Sequence, residues 1–232
     1  MEGTSKRNRK FNKKSIIMKK ILTLLFLFGF ILSNSQNMID QNGLKQGEWQ
    51  DWYEDGSIKY NGAFNDGIEQ GLWKFYYKTG ELKATKEFFH EGKAAATHIY
   101  YKNGNIRASG LYVNKMKDST WHYFNEDSVL VLSEQYKEGE FHGLRKTYYE
   151  SGDIYIVKQW REGIEEGTFR QYYINGNLSV KATNKNGTLD GSYISYNVDG
   201  SVFFEGFYED GIRVGEWKYY NESGDLDTII HE

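Results

Sequence analysis

The chain contains no cysteine and no proline. Without cysteine no disulfide can brace the fold and no thiol can carry a lipid behind an export signal, so stability must come from packing and backbone pairing. Without proline, chain reversals fall to Gly, Asn and Asp. Long apolar runs are scarce too: the longest, ILTLLFLFGFIL from Ile21 to Leu32, is too short to cross a bilayer comfortably. No glycine-rich run leads into Lys and Ser/Thr, which leaves a phosphate loop without support.

What is present is a foldable chain of 232 residues, 39% hydrophobic and 17% aromatic, with 19 Tyr and 25 Gly. That is the composition of strands and turns. The first 35 residues stand apart. Lys6, Arg7, Arg9, Lys10, Lys13, Lys14, Lys19 and Lys20 precede the apolar run, and Ser33-Asn34-Ser35-Gln36 follows it. This is the pattern of a secretory signal with cleavage after Ser35, and the alternative is a short uncleaved anchor. Met18-Lys19-Lys20 would by itself open such a signal, which makes residues 1–17 a candidate mis-called start. Setting 1–35 aside leaves 21 bases (29 less 8) against 31 acids (32 less 1), a charge near −10. A surface of that sign repels nucleic acid and anionic lipid headgroups, so neither is an expected partner.

The remaining chain repeats itself. Steps of 24 from Gly47 reach Gly71, Ala95, Ser119, Gly143, Gly167, Gly191 and Gly215, giving seven full units and one truncated unit after a lead-in at 36–46. With each opening residue as position 0, position 5 is always aromatic: Trp52, Tyr76, Tyr100, Phe124, Tyr148, Tyr172, Tyr196 and Tyr220. Position 9 carries Gly or Ser128, and position 11 carries Ile, Leu or Val. Segments such as Glu54-Asp55-Gly56 suit a type I turn closed by a left-handed Gly, which pairs position 6 with 10 and 5 with 11. A second Gly near position 20, as in Gly67 and Gly139, returns the chain to the next unit. Each unit is therefore expected to be a β-hairpin, and the array an antiparallel meander.

Because 24 is even, strand parity is expected to persist, with odd positions forming an apolar face from rows 5, 11, 13 and 17. Even positions would then form a wetter face that still carries Trp49, Trp73, Trp121 and Trp217 at position 2. The same face would carry Tyr53, Tyr77, Tyr101, Tyr149 and Tyr173 at position 6.

The stretches GEWQDWYEDGSIKYNGAFNDGIEQG, GLRKTYYESGDIYIVKQWREGIEEG and GSYISYNVDGSVFFEGFYEDGIRVG resemble the MORN repeat in its bacterial variant form. The resemblance covers Gly43 to about Ile230. It implies an all-β chain of tandem hairpins in an elongated, twisted, single-layer antiparallel sheet. Members of the family serve as scaffolds or partner-binding surfaces, and bacterial members are often labelled antitoxin-like, which implies a protein partner. Units 2 to 4 depart most from the pattern: Ala95 and Thr97 replace the opening Gly and the Trp, Lys115 stands in a return turn, and Ser119 and Ser128 replace turn glycines. Such departures read either as drift in a tolerant array or as a site where the array was altered.

Reaction chemistry finds no footing. His98 and His122 share position 3 of adjacent units, but two strand spacings, about 9.6 Å, are too far to share a metal easily. The carboxylates of Glu54-Asp55, Glu165-Glu166 and Glu209-Asp210 cluster at turns, where solvation accounts for them, and show no calcium-loop spacing. No cofactor, metal or catalytic residue is expected. The expected function is that of an exported, non-catalytic protein-binding scaffold, periplasmic, outer-membrane-associated or extracellular. Its binding residues would be Trp49, Tyr53, Trp73, Tyr77, Tyr101, Tyr149 and Tyr173. The alternatives are an envelope carbohydrate binder that uses the same rings as stacking platforms, and an antitoxin-like neutraliser. The sequence leaves the oligomeric state open.

Overall fold

A computed structural model describes residues 36–232; the segment read as an export signal lies outside the described residues. The described chain folds into seventeen strands: β1 Met38–Ile39, β2 Lys45–Trp52, β3 Ile58–Asn65, β4 Ile68–Tyr76, β5 Leu82–Phe89, β6 Ala94–Tyr100, β7 Ile106–Val113, β8 Met116–Phe124, β9 Leu130–Lys137, β10 Glu140–Tyr148, β11 Ile154–Arg161, β12 Ile164–Tyr172, β13 Leu178–Lys185, β14 Thr188–Tyr196, β15 Val202–Glu209, β16 Ile212–Tyr220 and β17 Leu226–His231. Every strand pairs antiparallel with its neighbours in sequence, producing one open meander. The fold is all-β, an open antiparallel sheet of hairpin repeats, as the repeat pattern implies.

Two kinds of turn alternate along it. The first closes each hairpin: Tyr53 N donates to Ser57 O at 2.8 Å and Gly56 N to Tyr53 O at 2.9 Å. It is the expected three-residue loop, and it sets Trp52 opposite Ile58. The second links units through two residues that both have positive φ, Asp66 at 50° and Gly67 at 78°, the geometry of a type I′ turn. These return turns are stitched to one another, since Gly67 N donates to Lys45 O, Gly139 N to Lys117 O and Gly163 N to Phe141 O at 2.9–3.0 Å.

The parity expectation is corrected by bulges. Asp51 opposes Tyr60, whereas its neighbour Trp52 opposes Ile58, so one residue is inserted within each hairpin. A second irregularity lies at the unit openings: Asn61 opposes Lys74 but Ala63 opposes Gln70, leaving two extra residues around Gly71. Positions 2 and 4 thereby join positions 13 and 17 on one face. Trp73 contacts Tyr60, Phe64, Phe75 and Phe88 at ring-centroid distances of 4.8–6.3 Å. Position 5 joins position 14 on the opposite face, where the hydroxyls of Tyr148 and Tyr220 meet Ser133 Oγ and Glu205 Oε1 at 3.2 and 2.7 Å.

The core is therefore a row of indoles along one face. Trp73, Trp121 and Trp217 are only 4%, 1% and 0% exposed. The rings expected to form the apolar face, Tyr76, Tyr100, Phe124, Tyr148, Tyr172, Tyr196 and Tyr220, are half-buried on the other side, and Trp52 is 44% exposed. They do face the aliphatics of position 11, as in the pairs Tyr76–Leu82 and Tyr100–Ile106.

What seats the indoles is the residue across from them. A Cβ on Gly62, Gly110 or Gly206 would fall 2.1–2.4 Å from the nearest ring atom of Trp73, Trp121 or Trp217, so each indole lies flat on a glycine of the preceding strand. Where position 2 is not Trp, the opposing residue differs: Arg145 faces Glu134, Phe169 faces Lys158, Tyr193 faces Ala182 and Thr97 faces Lys86.

Candidate functional site

Of the seven residues expected to bind, Trp73 is core. Trp49 is half-buried, edge-on to Phe64 at 5.5 Å with the Lys45 ammonium 4.5 Å from its ring centroid. The tyrosines of position 6 lie at the loop rim, and their hydroxyls are committed. Tyr53, Tyr77, Tyr101, Tyr149 and Tyr173 donate to the carbonyls of Tyr76, Tyr100, Phe124, Tyr172 and Tyr196 at 2.7–2.9 Å. Three of the rings, those of Tyr77, Tyr101 and Tyr149, are covered as well. The ammonium groups of Lys83 and Lys102 sit 5.8 and 5.7 Å from Tyr77, the Arg107 guanidinium 5.9 Å from Tyr101, and Tyr155 4.8 Å from Tyr149. The wet aromatic stripe is thus replaced by hydroxyl bonds that tie five of the units to the one that follows, Asn125 and Asn197 holding the position in units 4 and 7.

Exposed aromatic surface lies elsewhere. On the face away from the indoles, toward the C-terminal end, Phe207 is 58% exposed; Phe203, 47% exposed, sits in the hairpin bulge with its ring 5.3 Å from that of Phe204, on the indole side. Phe207 stands between Ser192 on β14 and Val214 on β16; one pair along, Glu205 stands between Ile194 and Lys218, with Ile229 beyond Lys218 on β17. A cavity of about 300 Å³ opens here against Ile194, Glu205, Phe207, Glu216 and Lys218. The result is an apolar centre with a rim of both charges.

A second feature sits on the indole face, where unit 3 breaks the pattern. Ala95 lacks the opening Gly, and the two extra residues that bulge elsewhere move into the return turn, which becomes the four residues 90–93 closed by Lys93 N donating to His90 O at 3.2 Å. β5 and β6 then pair without a shift, putting Phe88, Ala95 and Tyr112 abreast on β5, β6 and β7, with Lys86, Thr97 and Gly110 abreast beside them. A cavity of about 360 Å³ opens over Ala95 between Phe88 and Tyr112, edged by Lys86, Lys93, Lys115 and Glu69. The Lys86 ammonium lies 4.8 Å from the Tyr112 centroid. Burial holds its pKa below the ordinary lysine value, and the Glu69 charge only partly opposes this.

Between these regions lies a charged cluster. Lys117 Nζ donates to the hydroxyls of Tyr123 and Tyr136 at 2.6 and 3.3 Å; Tyr136 donates to Glu134 at 2.8 Å, and Arg145 Nε donates to the same carboxylate at 3.0 Å. Burial alone would raise the Glu134 pKa, but the hydrogen bonds from Tyr136 and Arg145 outweigh it and hold the carboxyl below its ordinary value. Burial and the bond to Glu134 push Tyr136 up to about 12. Every member has a partner, which makes the cluster a structural ion-pair network. His98 faces Thr85 and Ser109, His122 faces Ser109 and Ser133, and no group of three or more His, Asp or Glu among the described residues is placed to hold a metal.

The exposed phenylalanines could have been found in the sequence, because Phe203 and Phe207 stand at positions 12 and 16, which elsewhere hold mostly polar residues such as Lys59, Lys83, Arg107, Gln135 and Gln159. The rule that glycine precedes Trp by eleven residues was equally legible, in Gly62–Trp73, Gly110–Trp121 and Gly206–Trp217.

A family model described as the MORN repeat variant matches residues 45–66, 69–93, 141–161 and 213–231. The altered unit 3 falls outside those segments. No curated protein matches the chain. Among matching solved structures is the crystal structure of TcdB2-TccC3-Cdc42, 10% identical over 82% of this chain and 14% of that one, with a TM-score of 0.19. The present chain spans a small part of that protein, and at that score the likeness carries no argument.

Proposed function

We propose that this chain, four segments of which match the MORN repeat variant, is an exported, non-catalytic scaffold that binds a protein partner through the outer face around Phe207. The observation that carries the reading is the exposure of Phe207, a large aromatic on a face whose other members are mostly polar or half-buried. Aromatic anchors within a charged rim are the usual anatomy of a protein contact, and Phe207 has the cavity beside it to receive a partner side chain. The basic head and the apolar run Ile21–Leu32 support export. A polysaccharide reading is less well supported, because Trp73 is buried and the rings of Tyr77, Tyr101 and Tyr149 are covered. A neutralised toxin would be one kind of protein partner under the same reading.

The test is affinity capture from native-host envelope extract with the full chain and with Phe207→Ser, whose circular dichroism should match. A protein held by the wild type and released by the variant, with affinity reduced at least about thirtyfold, is the expected result. Capture that ignores Phe207, or saturable binding on a glycan array with no protein retained, would overturn the assignment.

A further inference from the structure

In the regular units an indole lies between two rings of position 17: Trp73 is 4.8 Å from Phe64 and 6.2 Å from Phe88. The next such interval, between Phe88 and Tyr112, should hold the indole of unit 3. It holds Thr97 instead, 2% exposed, beside Ala95, and the cavity of about 360 Å³ lies over Ala95. Each wall still keeps its other indole, Phe88 that of Trp73 and Tyr112 that of Trp121 at 5.0 Å, so both walls are held on their outer sides. Their backbones stand two strands apart, about 9.6 Å, and a ring seated midway would lie about 4.8 Å from each, within the 4.5–7 Å range of aromatic pairs.

The edge of this interval is cationic. In other units the basic residue at the strand start covers an indole, with Lys117 Nζ 4.8 Å from Trp121 and the Arg213 guanidinium 4.2 Å from Trp217. Lys93 is the equivalent residue in unit 3. It has no indole to cover, is carried outward by the longer turn, and is held only by an exposed pair with Glu91 at 3.6 Å, a contact of little strength. Lys115 on the next return turn and Lys86 within the face add two further positive charges, so three lysines stand against the two carboxylates of Glu69 and Glu91, the latter on the exposed turn and outside the cavity lining. A neutral or cationic guest would leave these charges uncompensated, whereas an anion placed at the turn would answer them.

We propose that this interval is a binding site for a small organic anion that carries one flat aromatic ring. The ring takes the place of the missing indole over Ala95 between Phe88 and Tyr112, and the carboxylate lies against Lys93 and Lys115 at the turn. The site is on the face opposite the protein-binding surface around Phe207, and its occupancy does not depend on that reading.

The probe is indole-3-acetate, titrated into the full chain by calorimetry, with tryptamine as the cationic counterpart of the same shape. Two variants locate the site: Lys93→Glu/Lys115→Glu reverses the turn charge, and Lys86→Gly/Thr97→Trp restores the glycine–indole pair of the regular units. The expected result is saturable millimolar or tighter binding of indole-3-acetate, at least about tenfold weaker binding of tryptamine, a loss of about tenfold or more in the charge-reversed chain and no binding in the filled one. The charge reversal is on exposed turns and should not alter the circular dichroism, so it decides the matter even if the filled variant folds poorly. No saturation by about 10 mM, equal binding of tryptamine, or unchanged affinity in the charge-reversed chain would each overturn the proposal.

Discussion

At the scale of single residues, the molecule is governed by what stands opposite what. An indole that lies on glycine, as Trp217 does on Gly206, is buried completely although the sheet has only one layer. Where the large ring is missing, charge takes its place, and Glu134 with Arg145 is the clearest case. The Glu134 carboxyl titrates below the 4.5 of a free glutamate, so its contribution to stability is complete above about pH 4.5 and is lost as pH falls through the lower folded-state value. Wild type should therefore exceed Glu134→Gln in urea resistance at about pH 6, and the difference should shrink toward about pH 3. A difference constant across that range would mean that the carboxylate charge is not what Glu134 contributes. None of this pairing is visible from composition, but the Gly-to-Trp spacing of eleven residues is a property of the sequence that could have placed the core.

At the scale of the hairpin, the period, the loop type and the 5-to-11 pairing were all readable, because turn residues and an unbroken count of 24 specify them directly. The faces were not, since one inserted residue reverses every side chain beyond it, and parity counting assumes no insertion. Bulges leave a weak mark in sequence: the opening Gly71 with φ of +60° sits in one, while Ser119 takes the same role at +59° without being glycine. That reversal is also why the expected tyrosine stripe became a structural ladder. Tyr77→Phe removes the bond to Tyr100 O and should cost about 1 kcal/mol locally, which raises amide exchange in the neighbouring loop 101–105 about fivefold. The loop 149–153 should be unaffected, because units communicate chiefly with their neighbours. Exchange that rises equally in both loops, or in neither, would show that the hydroxyl ladder does not join adjacent units.

At the scale of the whole molecule, the sheet has two ends and two faces, and they differ. The N-terminal edge is closed by Asn37, whose side chain donates to Gln50 O and accepts from Gln50 N, both at 2.8 Å, whereas β17 at the other end is exposed throughout. One face holds the indoles Trp73, Trp121 and Trp217, with Arg145, Phe169 and Tyr193 in the same row and the small Thr97 in unit 3; the other carries Phe207 in the open. The most direct test is hydroxyl-radical footprinting of the full chain, alone and in the complex recovered from envelope extract. Phe207 should label rapidly in the free chain and be protected in the complex, while Trp73, Trp121 and Trp217 stay unlabelled in both. Rapid labelling of those indoles in the free chain, or protection that leaves Phe207 open, would contradict the account.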